Sequence, residues 1–339
     1  MREQLLGKTP VELKDIALKV GLPAFTGKQI AQWMYGRKVR SIDEMTNISK
    51  AGRERLKEKY SLGVTLPSTC QVSSDGTKKY LFPVGEGNAV EAVMIPDDDR
   101  KTLCVSSQAG CRMGCKFCMT GRQGFHGNLT VADILSQFVA IDESPDLTNA
   151  VFMGMGEPLD NFGNVMRAIE VLTSDWGFGW SPKRVTLSTI GVLPNLRKYL
   201  ESTRCHLAVS LHNPFPDERA EMMPVQKAWP VQEVIEMIRE YDFTGQRRVS
   251  FEYTMFAGMN DDKRHADALI RLLRGLECRV NLIRFHKIPD APFETTPQII
   301  MERFRDRLSN HGITCTIRAS RGEDILAACG MLAGEHSRK

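Results

Sequence analysis

Three cysteines close together in the chain suggest metal chemistry. Cys111, Cys115 and Cys118 follow the spacing CxxxCxxC, and three thiolates on one tight loop can hold three irons of a cubane [4Fe–4S] cluster. The loop has no fourth cysteine, and this would leave one iron open for a substrate ligand. Structural zinc sites also use closely spaced cysteines, but they normally combine two CxxC pairs or one pair with two histidines. Because the chain has no second pair, we expect a cluster rather than zinc.

A second set of candidate ligand-binding residues falls at the ends of strand-like segments. The run MGMGEP places Gly156 beside Glu157. Glycine lets the backbone approach a ligand closely, and a carboxylate accepts hydrogen bonds from an amino group. Taken singly, each of the remaining candidates also has a structural explanation, but together they would line one rim. These remaining candidates are Ser188, Ser210, Leu211, His212 and His286.

Two more cysteines and one glutamate complete the candidates. Cys104 lies seven residues before Cys111, Cys329 lies near the end of the chain in RGEDILAACG, and Glu91 lies thirteen residues before Cys104. A buried cysteine commonly serves as a small apolar residue, so the two cysteines have a structural explanation as well as a chemical one. The chain has nine cysteines, an odd and unevenly spaced set, which argues against a structural disulfide framework.

The elements that must position these residues alternate regularly along the chain. From about residue 102, strand-like segments alternate with helical patterns, and this order predicts a parallel sheet with right-handed crossovers. The six strand candidates are TLCVSS, NAVFMG, RVTLST, CHLAVSLH, RVSFEYTMF and RVNLIRFH. In such α/β folds the chemistry lies at the carboxyl ends of the strands, which is where several of the candidates fall. The segment CTIRAS and a short helix around DILAACGML are expected to finish the chain.

These patterns divide the chain into four segments. Residues 1–65 predict a basic module of short helices, and residues 66–96 predict a hairpin around the turn dipeptide Asp75-Gly76, followed by a linking strand. Residues 97–324 form the α/β core, and residues 325–339 form a C-terminal segment that carries Cys329.

Charge is distributed unevenly between these segments. Residues 1–60 hold thirteen Lys/Arg against seven Asp/Glu, a net +6, whereas the whole chain of 339 residues nets +4, so the remainder nets −2. A basic N-terminal module suits a polyanion such as RNA, although solvated helix faces would carry the same charges. No apolar run approaches the ~20 residues of a membrane helix, and charged residues come too early for a signal peptide. We therefore expect a cytoplasmic protein without a membrane partner.

The cluster loop resembles the signature of the radical S-adenosylmethionine (SAM) superfamily, in which an aromatic residue, here Phe117, precedes the last cysteine. A longer ordered pattern resembles the RlmN branch of the RlmN/Cfr dual-specificity RNA methyltransferases and extends over essentially the whole chain. It runs from Cys104 through the cluster loop, MGMGEPL, VTLST, SLH, NLIRFH and RGEDILAACG. The resemblance implies a partial (β/α)6 barrel, one [4Fe–4S] cluster whose open iron binds SAM, and SAM contacts from the rim residues. One departure is His286, where many relatives have asparagine.

The resemblance also implies a mechanism that uses two SAM molecules per turnover. Adenine C2 is electron-poor and cannot attack the methyl group of SAM, so the thiolate of Cys329 first takes that methyl group. A second SAM, cleaved to a 5′-deoxyadenosyl radical, removes hydrogen from the S-methyl group, and the resulting methylene radical adds to C2. Glu91 then takes the ring proton. Cys104 attacks the sulfur of Cys329, which releases methylated RNA and leaves a disulfide for a cellular reductant to reopen.

The implied substrate is adenosine 2503 of 23S ribosomal RNA, and some members also modify adenosine 37 of certain transfer RNAs. The base must leave its stack to reach such a site. The basic N-terminal module would grip the RNA backbone. An electron donor such as a flavodoxin or ferredoxin system is expected, and the enzyme is expected to act as a monomer.

Three alternatives stay open on the sequence alone. A Cfr-like enzyme would methylate C8 of the same adenine, and the methyl position in digested RNA separates the two activities. A non-catalytic iron–sulfur RNA-binding or redox-sensing protein would need neither the thiol pair nor Glu91, and it would not consume SAM. Another radical SAM activity, such as a glycyl-radical activator, would lack Cys104 and Cys329 in these contexts.

Overall fold

The computed structural model describes residues 2–243, 245 and 247–334. Residues 335–339 of the predicted C-terminal segment therefore lie outside the described residues. The strands are β1 (Glu3–Gln4), β2 (Tyr60–Ser61), β3 (Thr69–Val72), β4 (Lys78–Val84), β5 (Asn88–Asp97), β6 (Arg100–Cys104), β7 (Gln108–Gly110), β8 (Phe125–Asn128), β9 (Asn149–Phe152), β10 (Val185–Thr189), β11 (His206–Ser210), β12 (Val249–Met255), β13 (Arg279–Arg284) and β14 (Thr314–Ile317). The helices are α1 (Pro10–Lys19), α2 (Thr26–Ala31), α3 (Lys50–Lys59), α4 (Met119–Arg122), α5 (Val131–Val139), α6 (Phe162–Thr173), α7 (Leu193–Ser202), α8 (Pro216–Met222), α9 (Val231–Arg239), α10 (Lys263–Leu272) and α11 (Gln298–Asn310).

Ten of the strands form one mixed sheet in the spatial order β14-β13-β12-β11-β10-β9-β6-β5-β4-β3. The strands from β6 to β14 are parallel, and β3, β4 and β5 continue the sheet in antiparallel order. The predicted α/β alternation is confirmed, because the six predicted core strands are β6 and β9 to β13. The segment CTIRAS supplies a seventh parallel strand, β14. Among the described residues the sheet stays open, with β14 and β3 at its two edges.

Apolar faces on the helices cover this sheet. In α9, Val231, Val234, Ile235 and Ile238 recur at helical spacing and are all buried, as expected for one face of an amphipathic helix. Central strands are apolar on both sides: in β11, residues 207–209 are at most 1% exposed. Each connection between neighbouring parallel strands contains at least one helix, so all the parallel strands end at the same edge of the sheet.

The N-terminal helices pack directly on the α/β core. Thr9 caps α1 through a reciprocal capping box with Glu12, which fixes where the helix begins. Gly7 lies against α5, where an added Cβ would stand 2.5 Å from a methyl group of Val131. The hydroxyl of Tyr35 accepts from the Gly7 N–H at 3.0 Å. Leucines 5 and 13 belong to the same apolar cluster as the core strands, so removing the module would expose part of that core.

The C-terminal segment is less regular than its sequence predicts. The predicted helix around DILAACGML is wrong, because only Glu323–Ile325 forms a single 3-10 turn. Left-handed residues at Gly322 and Leu326 flank this turn, which prevents an α-helix from continuing. The backbone instead pairs with other elements. The N–H of Met119 donates to the Gly330 carbonyl at 2.8 Å, so the segment is held against the start of α4.

The hairpin of β3 and β4 also holds this segment. The carboxylate of Asp75, in the predicted hairpin turn, accepts from the Gly322 N–H at 3.0 Å. The Ser73 hydroxyl donates to Asp324 at 2.6 Å. The hairpin and β5 therefore extend the main sheet and anchor the chain that leads to Cys329.

Candidate active site

The cluster loop, Cys111–Cys118, lies in the first crossover of the core, between β7 and α4. Cys111 and Cys115 are buried and Cys118 is half-buried, and all three line one cavity of about 160 Å³, which we call the thiol cavity. Backbone hydrogen bonds fix the loop: the Cys111 N–H donates to the Gly124 carbonyl at 2.7 Å, and the Cys118 N–H donates to the Cys115 carbonyl at 3.2 Å. The CxxxCxxC spacing therefore places three thiols on one loop that forms part of the wall of the thiol cavity.

Burial controls the protonation of these thiols. It raises the pKa of Cys111 to about 12 and the pKa of Cys115 well above its ordinary value, with the neighbouring thiols adding to the effect at Cys115. Burial also raises the pKa of Cys118. These shifts favour the protonated thiols, so binding of a metal would release protons, because the thiolate is the ligand.

The three thiols fit a cubane cluster. Among the described residues, no group of three His, Cys, Asp or Glu side chains is arranged to hold a single metal ion. A cubane has no such requirement, because each cysteine binds a different iron. The fit rests on three soft thiol donors that face one shared cavity and on the absence of a fourth cysteine from the loop.

Arg219 of α8 places a buried positive charge near this loop. Its side chain is completely buried. It donates to the Leu211 and Ser210 carbonyls at 2.9 Å each and to the Gln226 side chain. No carboxylate pairs with it in the part of the chain that the structure describes. Its charge opposes the effect of burial on the pKa of Cys115. Arg219 is therefore a cation next to the cluster ligands that the sequence did not reveal.

Phe117 connects the cluster loop to the ends of β11 and β12. Its ring makes an edge contact with His212, whose ring centroid lies 5.0 Å away, and a tilted contact with Phe256 at 5.3 Å. The Nδ1 atom of His212 accepts from the Thr254 N–H at 2.9 Å. Burial lowers the pKa of His212 to about 3, so this ring is neutral at physiological pH and acts as a fixed acceptor.

Gly156 and Glu157 follow β9 and line the thiol cavity opposite the cluster loop. The Glu157 carboxylate accepts from the Thr189 hydroxyl at 2.6 Å and from the backbone N–H groups of Ile190 and Leu159 at 2.9 and 3.0 Å. Burial raises its pKa to about 7 against these hydrogen bonds. Glu157 thus joins the ends of β9 and β10 and keeps a carboxylate at the cavity wall.

Gly156 has no room for a side chain. Its φ is +95°, and an added Cβ would lie 2.5 Å from the Cβ of Gln108. We expect Gly156→Ala to lower the free energy of unfolding by about 1–3 kcal/mol and to reduce SAM cleavage, because Glu157 would shift. Gly163→Ala is the matched control, since nothing lies within 4 Å of that position in α6 and alanine suits a helix. Thermal unfolding and 5′-deoxyadenosine formation measure both effects, and a Gly156→Ala variant equal to wild type in both would contradict this account.

The remaining rim candidates separate into two groups. Ser188, Ser210 and His212 line the thiol cavity. Leu211 does not, because its side chain is fully buried in the apolar core. His286 also faces elsewhere: its Nε2 lies 2.9 Å from the Ser320 hydroxyl and its Nδ1 lies 3.3 Å from Glu323.

Cys104 and Cys329 meet at a second, smaller cavity. Both line a space of about 80 Å³, and Cys329 also lines the thiol cavity. All nine cysteines are free thiols, so the Cys104–Cys329 disulfide that the resemblance implies is not present in this structure. Burial raises the pKa of Cys104 to about 12, and Cys329 adds to the shift while Arg318 opposes it.

Arg318 is a site residue that the sequence-based search missed. It follows β14 directly and lines both cavities together with Cys329. Its guanidinium forms an ion pair with Glu252 at 3.5 Å and lies 3.5 Å from the sulfur of Met153. An arginine directly after a core strand and eleven residues before Cys329 was the available signal.

Glu91 does not line either cavity. It lies on β5, where Lys79 pairs with its carboxylate at 3.0 Å. The N–H groups of Ala333 and Gly334 donate to the other carboxylate oxygen at 2.8 and 3.2 Å. The C-terminal segment therefore brings Cys329 to the cavities and, four to five residues later, covers Glu91.

Comparison with known proteins identifies the class of enzyme to which this site belongs. A profile of the Radical SAM superfamily matches residues 105–269, which hold the cluster loop and the strands around the thiol cavity, so the chain is a radical SAM enzyme. A profile described as the ribosomal RNA large subunit methyltransferase N-terminal domain matches residues 3–62. No helix of the described chain is long and apolar enough to cross a membrane.

Individual relatives identify the family within this superfamily. A protein of Porphyromonas gingivalis named "Probable dual-specificity RNA methyltransferase RlmN" is 59% identical over 97% of this chain and 96% of its own length. A "Dual-specificity RNA methyltransferase RlmN" of Syntrophus aciditrophicus is 41% identical over 96% and 94%. The crystal structure of a radical SAM methyltransferase from Sphaerobacter thermophilus superposes with a TM-score of 0.94 at 38% identity, covering 98% of this chain and 100% of that one. This chain belongs to the RlmN family of radical SAM RNA methyltransferases.

Proposed function

We propose that this enzyme methylates C2 of adenine in RNA, with adenosine 2503 of 23S ribosomal RNA as one substrate and adenosine 37 of some transfer RNAs as another. One observation carries the proposal: Cys329 lines the thiol cavity and also shares a cavity with Cys104. A methyl carrier must face SAM on one side and a resolving thiol on the other, and Cys329 lines both the cavity proposed for SAM and the cavity that Cys104 lines. The dual specificity named for the relatives supports the two RNA classes.

Cys111, Cys115 and Cys118 would hold the [4Fe–4S] cluster. When bound, the cluster supplies the electron that cleaves SAM to a 5′-deoxyadenosyl radical. Gly156, Glu157, Ser188, Ser210 and His212 would position SAM in the thiol cavity. For the remaining candidates, the backbone of Leu211 rather than its side chain would take part, and His286 would act from outside that cavity.

The residues around Cys329 divide the methyl transfer between them. Cys329 would accept the methyl group of the first SAM and present it to the second, so that two SAM molecules are consumed per turnover. Once the adduct had lost its C2 proton to the base and its unpaired electron back to the cluster, Cys104 would attack the sulfur of Cys329. The S–S bond would form as the bond from sulfur to the methylene carbon breaks, that carbon would take up a proton to become the methyl group, and a thiol reductant would reopen the disulfide. The nearby charge of Arg318 favours the thiolate of Cys104 against the cost of burial.

Glu91 would remove the proton from C2 once the new carbon–carbon bond has formed. A general base must come within hydrogen-bond reach of the proton that it takes. Here Lys79 and the backbone of residues 333–334 occupy the carboxylate. The proposal therefore requires the hydrogen bonds from the N–H groups of residues 333 and 334 to be released when the target adenine enters the site.

The N-terminal module and the cellular setting complete the proposal. Lys14, Lys19 and Lys28 are exposed on the module, and such charges suit RNA phosphates. We place the enzyme in the cytoplasm as a monomer that receives electrons from a flavodoxin or ferredoxin system.

The test is anaerobic reconstitution followed by reaction with SAM and either 23S ribosomal RNA or transfer RNA. Digestion of the RNA should yield 2-methyladenosine, with 5′-deoxyadenosine and S-adenosylhomocysteine formed in equal amounts. 8-Methyladenosine would instead establish the Cfr-like activity. SAM cleavage without any methylated base would overturn RNA methylation as the reaction of the reconstituted enzyme.

A further inference from the structure

A large basic cavity adjoins the amino-terminal ends of five core strands, β6 and β9 to β12. It has a volume of about 440 Å³, within the range of ~300–1,000 Å³ that is common for small-ligand sites. Its walls come from the beginnings of β6, β9 and β10, from His206 and Arg248 at the starts of β11 and β12, and also from the end of β13 and residues 318–321 after β14. The thiol cavity is lined by the carboxyl ends of β9 to β13.

The charge of this basic cavity is strongly one-sided. Asp97 is the one carboxylate among its described lining residues, and it pairs with Arg100 at 2.7 Å and Arg321 at 3.6 Å. The cationic side chains in the lining are Arg100, Lys183, Arg184, Arg248, Arg284, Arg318 and Arg321. Seven cations around one carboxylate leave a large positive excess.

Three of these cations are free to bind a ligand. Lys183, Arg184 and Arg248 are exposed, and within the described part of the chain none of their side chains has an ion pair or a hydrogen bond. The positive charge of the cavity affects the pKa of His206. Burial lowers the pKa of that histidine to about 4, and the charges of Arg248 and Lys183 add to the effect. An anion would relieve this unbalanced charge.

The two cavities meet at the methyl carrier. Cys329, Arg318 and Ile283 line both the basic cavity and the thiol cavity. A ligand that enters between the amino-terminal strand ends therefore reaches Cys329 through a cavity that the cluster loop does not line. The two cavities would let SAM and a second substrate approach Cys329 by separate routes.

We propose that RNA enters the enzyme through the basic cavity and that Lys183, Arg184 and Arg248 bind phosphates flanking the target adenosine. The inference rests on the proposed function and adds the route and the contact surface. An RNA strand has a phosphate on each side of an extruded base. These negative charges complement the unpaired cations of the basic cavity, while the base itself would extend toward Cys329. Each neutralised phosphate releases counterions, so these contacts should make binding dependent on salt.

The experiment compares two variants that change the net charge equally. In K183E/R184E two cations of the basic cavity are reversed. In R271E/R274E two exposed cations at the end of α10, which line none of the three cavities, are reversed. Both are measured as reconstituted enzyme for binding of an RNA stem-loop that contains the target adenosine, over 50–200 mM salt. SAM cleavage in the absence of RNA reports whether each variant is folded and loaded.

For K183E/R184E we expect RNA affinity at about 0.1 M salt to fall by at least about 10-fold, because two counterion-releasing contacts are lost. The slope of log affinity against log salt should become shallower by about two. R248E should lose affinity in the same direction, and R271E/R274E should match wild type. RNA-independent SAM cleavage should be unchanged in every variant.

Unchanged RNA affinity in K183E/R184E, or an equal loss in R271E/R274E, would overturn the proposed route. If K183E/R184E keeps full RNA affinity and loses binding of another macromolecule, the cavity serves an acidic protein and not RNA. A wild-type enzyme that fails to methylate RNA tests the proposed function separately, because the affinity measurements do not depend on turnover.

Discussion

Cys329→Ala is expected to abolish methylation of RNA completely, because the variant has no acceptor for the first methyl group. Wild-type protein isolated from cells should carry one added methyl group on the peptide that contains Cys329, measured by peptide mass spectrometry. The position of Cys329 at the wall of the thiol cavity is the structural reason for this expectation. The cluster should be retained, because Cys329 lies outside the cluster loop.

Cys104→Ala should behave differently from Cys329→Ala, and the contrast separates the two roles. This variant can still form the methylated thiol and the bond to C2, but it has no thiol to release the product. RNA should therefore remain attached to Cys329 through a methylene bridge and survive nuclease digestion as a nucleotide adduct. Cys70→Ala is the matched control, because Cys70 is an exposed free thiol that lines none of the three cavities.

Normal turnover by Cys104→Ala would refute the assignment of the thiol pair. Residual methylation of RNA by Cys329→Ala would refute the assignment of Cys329 as the methyl carrier. A variant with both cysteines replaced should resemble Cys329→Ala, because no adduct can form without the carrier.

Cys115→Ala should remove the cluster and with it all formation of 5′-deoxyadenosine. Wild-type protein reconstituted without oxygen should hold about four irons and four sulfides per chain, and the variant should hold close to none. Cys115 is buried and lines the thiol cavity with the other two cysteines of the loop, so its loss leaves the loop with only two cluster ligands. Cys278→Ala is the control, since Cys278 is half-buried outside the cavities. Zinc in place of iron, with no visible chromophore in wild type, would contradict the assignment.

The core strands and the cluster loop could be predicted because their signals are local. Apolar strand segments alternate with amphipathic helices, and the three cluster cysteines lie within eight residues. Strand alternation explains why two rim candidates, Leu211 and His286, do not line the thiol cavity. Ser210 and His212 face the thiol cavity, and Leu211 between them points to the other side, as successive residues of an extended chain do. Phe285 lines the thiol cavity, so its neighbour His286 faces away.

The irregular C-terminal segment could not be predicted from its own sequence. DILAACGML has helical composition, but its Gly330 carbonyl accepts from Met119 and the Ala333 N–H directly after it donates to Glu91, and both partners are distant in the chain. Arg318 was missed for a similar reason. Its importance comes from a position between Cys104 and Cys329 that only the assembled sheet creates.

The buried guanidinium of Arg219 links maturation of the enzyme to its folding. A cation held only by carbonyl and amide oxygens costs several kcal/mol to bury, and protonated thiols beside it carry no charge that would compensate it. A [4Fe–4S] cluster bound by three thiolates would be net negative, so its binding would compensate the buried positive charge of Arg219. Because a ligand that binds only the folded chain stabilises it, the unloaded protein is the less stable form. Iron limitation would therefore lower the amount of the enzyme as well as its activity, since proteases remove the less stable chain first.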